Sequence, residues 1–137
     1  MAEHKIETQW MGKMQFNANI QNHTIVMDAT ERGGGEDNGP IPKVFILTAL
    51  TGCAGMELMS LIKKYNLNIS KLNLKAEGKL TDKIPYYYTS IDLIFDIETD
   101  EDQEKISKFV NRVMNEICGV SIMLKKALTL NYTINYK

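Results

Sequence analysis

What this chain has little of narrows its class. Two cysteines, three prolines and two histidines in 137 residues are too few for a disulfide-stapled scaffold, a proline-rich linker or a dedicated zinc module. Charge of one sign is missing too. Sixteen Lys and Arg against seventeen Asp and Glu leave a net −1, so the basic field that nucleic-acid binding relies on is absent and no nucleic-acid partner is expected. The N-terminal MAEHKIETQW holds no apolar signal-peptide segment. The longest nearly apolar run, 44–56, is interrupted by Thr48, Thr51 and Gly52 and reads as a core helix too short to span a bilayer. These absences lead to the expectation of a cytoplasmic chain with no membrane partner and with reduced thiols. The Asn-x-Ser/Thr matches at Asn22, Asn68 and Asn131 then carry no glycosylation meaning.

What is there is one domain's worth of sequence, 1–137, with 44% hydrophobic and 24% charged residues. From 5 to 28 short alternating segments surround Gly12 and Gln21-Asn22-His23, predicting a three-stranded antiparallel meander. The stretch 29–39, with Gly33-Gly34-Gly35, lacks an apolar face and reads as a mobile surface loop. Pro40-Ile41-Pro42 leads into a helix expected from about 42 to 65, apolar on nearly every side and ending in Lys63-Lys64, which suit the negative end of the dipole. Alternating segments at 67–80 and 86–98 predict two strands joined by a turn at 81–85. The acidic start Asp100-Glu101-Asp102 opens an amphipathic helix running to Cys118, 121–127 adds a further helical turn, and 128–136 a last strand. The order β-β-β-α-β-β-α-β argues for an α+β fold with antiparallel sheets around a long buried helix. A six-stranded sheet and one amphipathic helix cannot cover so apolar a helix, which predicts a homodimer sharing one core.

Chemistry narrows to sulfur. Cys53 lies mid-helix among Ala49, Thr51, Gly52, Ala54 and Gly55, and Cys118 follows the second helix. A free cysteine is most often a small buried hydrophobe. The small residues around Cys53 nevertheless imply that something approaches the backbone there, a partner helix included. His4 and His23 with the two cysteines lack metal-ligand spacing, so no metal is expected. The triple glycine has no GK[ST] and carries acids, so it holds no phosphate, and no cofactor is expected.

Gly39-Pro40-Ile41-Pro42 leading to Leu47-Thr48-Ala49-Leu50-Thr51-Gly52-Cys53, followed by Cys118-Gly119-Val120-Ser121-Ile122-Met123-Leu124, resembles the OsmC/Ohr superfamily, the osmotically induced and organic hydroperoxide resistance proteins. The opening Trp10-Met11-Gly12-Lys13-Met14-Gln15-Phe16 and His23-Thr24-Ile25-Val26-Met27-Asp28 are similar to its YhfA-like branch. The resemblance implies an intertwined α+β homodimer with central helices back to back and active sites near the subunit interface. It also implies an enzyme that reduces organic hydroperoxides, with Cys53 as peroxidatic thiol, Cys118 as resolving thiol and an external dithiol as reductant. Such peroxidases pair an arginine with a glutamate ten residues before the reactive cysteine, in a Pro-Glu step. Here that step is Pro42-Lys43. Arg32 in the glycine loop and Lys13 after the Gly12 turn are the candidate activating cations, and Glu57 is a candidate replacement acid. The missing glutamate favours the alternative of a non-catalytic redox sensor or a protein holding a lipid-like ligand. A thioesterase-type reading of the same strand and helix pattern would need an acid aimed at a thioester.

Overall fold

A computed structural model describes residues 2–137. The chain gathers into two compact units that divide between Ile46 and Leu47.

The first unit is a meander of β1 (Glu7–Gly12), β2 (Gln15–Ile20) and β3 (His23–Met27), in spatial order β1-β2-β3 with both pairs antiparallel. Gln21 and Asn22 both take positive φ, 50° and 68°, the backbone that a two-residue hairpin needs to match strand twist. Beyond β3, the expectation of a mobile loop is corrected. Asp28 is buried, and its carboxylate accepts hydrogen bonds from the backbone N–H of Ala29 (2.8 Å), Asn38 (3.0 Å) and Glu36 (3.2 Å). Backbone bonds from Asp28 to Pro40 and from Asp37 to Ala29 close the same segment around a short 3-10 turn, Glu31–Gly33. Gly35 has to be glycine here, because an added Cβ would run into the Ala29 carbonyl and Asp28 Oδ1. Composition showed that the loop buries no apolar face. It did not show that one carboxylate could gather its backbone instead.

The second unit holds the core. α1 (Val44–Lys64) starts in the last residues of the first unit and runs into the second. It is followed by β4 (Lys71–Leu80), β5 (Tyr88–Glu98), α2 (Gln103–Arg112), a π-turn at Val113–Ile117, α3 (Gly119–Lys125) and β6 (Thr129–Tyr136). β5 is the central strand, and its alternate residues Ile91, Leu93, Phe95 and Ile97 are fully buried. They meet Leu50, Ala54 and Leu58 of α1 and Ile106, Val110, Val113 and Met114 from α2 and the π-turn in one cluster. Tyr65 stacks on Phe109 at 5.1 Å between ring centres. Asp102 caps α2, its side chain accepting from the Glu104 N–H.

The α+β architecture agrees with the sequence reading, and three particulars differ. The strands form two three-stranded sheets, β1-β2-β3 and β4-β5-β6, rather than one of six. β6 pairs parallel to β5, from Ser90↔Thr129 to Ile97↔Tyr136. Alternation cannot report strand direction, and a helical connection of this length returns the chain to the same end of the sheet. α1, at 21 residues, is long and apolar enough to cross a bilayer, so the short interrupted run understated it. Within this chain it buries Leu50, Ala54, Leu58, Leu61 and Ile62, while Met56 stays 75% exposed and Met59 exposed.

Candidate functional site

The site is built within the second unit, from the middle of α1 and the start of α3. Cys53 lies one residue before the buried Ala54, so its side chain sits at the margin of the core-facing stripe and is partly exposed. Cys118 stands where the π-turn ends. The Cys118 N–H donates to the Val113 carbonyl at 2.7 Å, five residues back, and the chain then leaves helical geometry with ψ 104°. This break turns the Cys118 side chain into the core, where it is fully buried.

The two thiols, remote in sequence, lie near enough for Cys53 to bear on the ionisation of Cys118. Both are free. Burial pushes the Cys118 thiol up to about 11, because the thiolate would lose its hydration. The backbone N–H groups of Ser121 and Val120 pull the other way, while the hydrogen bond and charge of Cys53 help to hold the proton on Cys118. The pair is therefore asymmetric. One sulfur is accessible, and the other is buried, protonated and waiting beside it.

The remaining candidates are described element by element. Lys13 (φ 47°) and Gly12 (φ 107°) form the β1–β2 turn in the first unit. The Lys13 carbonyl accepts from the Trp10 indole N–H at 2.8 Å, and its ammonium lies 3.8 Å from Glu36. Arg32 is exposed in the 3-10 turn of the Asp28-gathered loop. Glu57 is half-buried on α1. The glycines flanking Cys53 do not mark a close approach inside the chain: a Cβ on Gly52 would meet nothing within 4 Å, and one on Gly55 would make ordinary contact with Leu74. Among the described residues no cluster of His, Cys, Asp or Glu could hold a metal ion.

Two contributors escaped the sequence reading. Asp28 gathers the loop that carries Arg32. Ser121, fully buried, donates its N–H to Cys118 Sγ (3.4 Å) and its hydroxyl to the Met114 carbonyl (2.5 Å). Its position three residues after Cys118 is the spacing of a helix cap and its N3 partner, a signal that was available.

The chain is similar to several known proteins. Protein YhfA of Escherichia coli is 25% identical over 128 residues, covering 91% of this chain and 92% of that protein. The crystal structure of an OsmC-like protein from Mycoplasma pneumoniae superposes with a TM-score of 0.86 at 16% identity, covering 98% of this chain and 97% of the other. An organic hydroperoxide resistance protein from Elizabethkingia anophelis gives 0.76 at 13% identity, with 99% of each chain covered. The family description "OsmC-like protein" matches residues 34–133, a span that includes both thiols and Ser121. With that match over most of its length, the chain belongs to the OsmC-like protein family.

Proposed function

We propose that the protein is a thiol-dependent peroxidase that reduces organic hydroperoxides in a reducing, cytoplasmic compartment. The observation that carries the reading is the asymmetric thiol pair: an accessible Cys53 beside a buried, protonated Cys118. In its thiolate form Cys53 attacks the terminal oxygen of the hydroperoxide. The O–O bond breaks, a Cys53 sulfenic acid forms, and the alkoxide takes a proton and leaves as alcohol. The Cys118 sulfur then attacks the Cys53 sulfur. An S–S bond forms, the S–O bond breaks, and the hydroxyl departs as water with the Cys118 proton. An external dithiol reduces the disulfide, becomes a disulfide itself, and restores both thiols. The apolar character of the residues around Cys53 suits an alkyl hydroperoxide better than hydrogen peroxide.

Arg32 and Lys13 are the proposed activating cations, of which the arginine alone offers a planar fork to an oxygen pair. A homodimer belongs to the same proposal. Met56 and Met59, exposed on an otherwise apolar helix, favour cover by a second copy. Replacing Cys53 with Ser is expected to abolish peroxide-dependent oxidation of the added dithiol. Replacing Cys118 with Ser should leave a sulfenic acid that accumulates and over-oxidises, read by mass spectrometry. If C53S turns over hydroperoxide at the unmodified rate, the assignment falls.

A second reading is favoured by Lys43, which stands where the peroxidase glutamate is expected. In that reading the same disulfide forms slowly, as a record of oxidative stress. Turnover with excess dithiol separates the two: a peroxidase cycles many times, whereas a sensor closes once per reduction and stays closed.

A further inference from the structure

We infer that Ser121 is a positioning residue for disulfide closure, acting through Cys118; the inference rests on the thiol-pair reading above. The π-turn ends with the chain leaving helical geometry at Cys118, so the Met114 carbonyl is not continued into a regular helix ladder. Two side chains from α3 bind it instead: the Ser121 hydroxyl at 2.5 Å and the Lys125 ammonium at 2.9 Å. Lys125 also donates to Asn115 Oδ1 at 2.7 Å. Through its N–H, Ser121 touches the Cys118 sulfur as well. One fully buried residue thus bonds both to the turn that carries Cys118 and to the sulfur of Cys118.

A thiol that must meet another sulfur along a narrow range of disulfide torsions gains from a backbone held in one orientation. The wide π-turn is the place where that orientation is set, and π-turns recur at functional sites. Without the Ser121 hydroxyl, the Met114 carbonyl keeps one donor and α3 can shift against the turn. Cys118 then samples orientations that do not face Cys53. The reactivity of Cys53 itself is untouched, because Ser121 has no bond to it.

The test separates the two thiol steps with dithiobis(nitrobenzoate), which needs no peroxidase activity. The Cys53 thiolate displaces one nitrothiobenzoate from the reagent, in a phase that scales with reagent concentration. Cys118 then displaces the second from Cys53, closing the disulfide and releasing its proton to solvent, in a phase independent of concentration. For S121A the first phase is expected at the unmodified rate and the second slowed by about tenfold, the weight of one buried hydrogen bond. A purely structural role would lower the melting temperature and leave the ratio of the phases unchanged, which would overturn the inference. Should S121A fail to fold, K125M carries the test, because Lys125 is exposed and holds the same carbonyl. A second phase slowed severalfold supports the inference, and an unchanged one overturns it. Running the unmodified protein with tert-butyl hydroperoxide in parallel keeps the readings apart: failure there removes the peroxidase, while the two-phase comparison still decides Ser121.

Discussion

The two units of this protein are held by different physics. In the second, every helix and strand contributes to one apolar cluster around β5, which contains every buried apolar side chain among the described residues except Ala18. In the first, Ala18 is the sole member of that class, and the carboxylate of Asp28 organises the segment that follows the sheet. Burial fixes the thiol pair, whereas hydrogen bonds to one charged group fix the loop bearing Arg32. The contrast implies that the pair sits on an apolar core, whereas the order of the loop hangs on one ionised side chain.

The strongest way to break this comparison is through the core. Phe95→Ala should cost about 3–5 kcal/mol by creating a cavity beside Tyr132, whose ring meets Phe95 edge-on at 6.4 Å. Thermal or denaturant melting should show a large loss, with the thiol pair losing its asymmetric alkylation. Asp28→Asn comes next. It removes the charge that several N–H groups converge on, so amide exchange should quicken across 29–38 while β5 amides stay protected. Gly35→Ala should produce the same local signature by steric means.

Acid supplies a gentler version. The Asn38 N–H, joined by those of Ala29 and Glu36 and by the charge of Lys13, lowers the Asp28 pKa below its usual range against the opposing effect of burial. A carboxylate with a depressed folded-state pKa contributes stability above its unfolded pKa and loses it as the pH falls through the folded value. The loop should therefore loosen below about pH 4, and Asp28→Asn should remove that acid dependence, as followed by amide exchange. The smallest effect belongs to Lys13→Met. Its ion pair with Glu36 is long and exposed, so the melting temperature should shift by the equivalent of under about 1 kcal/mol.

Much of the architecture was legible because periodicity reports which face of an element is buried. The alternation of Ile91, Leu93, Phe95 and Ile97 and the helical spacing of Ile106, Phe109, Val110 and Val113 were both sufficient. The direction of β6 was not, because side-chain alternation is the same in parallel and antiparallel strands. Nor was the order in 29–39, where glycines signalled conformational freedom but the Asp28 bonds that use it are long-range facts of the fold. In the site, the sequence pointed to Cys53 and Cys118 by motif, yet the burial and raised thiol of Cys118 depend on the break at the π-turn. The spacing of Ser121 from Cys118 was legible as a cap and its N3 partner, but the bond from its hydroxyl to a backbone carbonyl seven residues back was not.

The central claim is that Cys53 and Cys118 operate as one redox couple, and thiol titration tests it most directly. Reduced protein mixed with one equivalent of cumene hydroperoxide should fall from two alkylatable thiols to none, with peptide mapping recovering a Cys53–Cys118 bridge. Two thiols still alkylatable after that treatment, or a bridge between separate chains, would contradict the account.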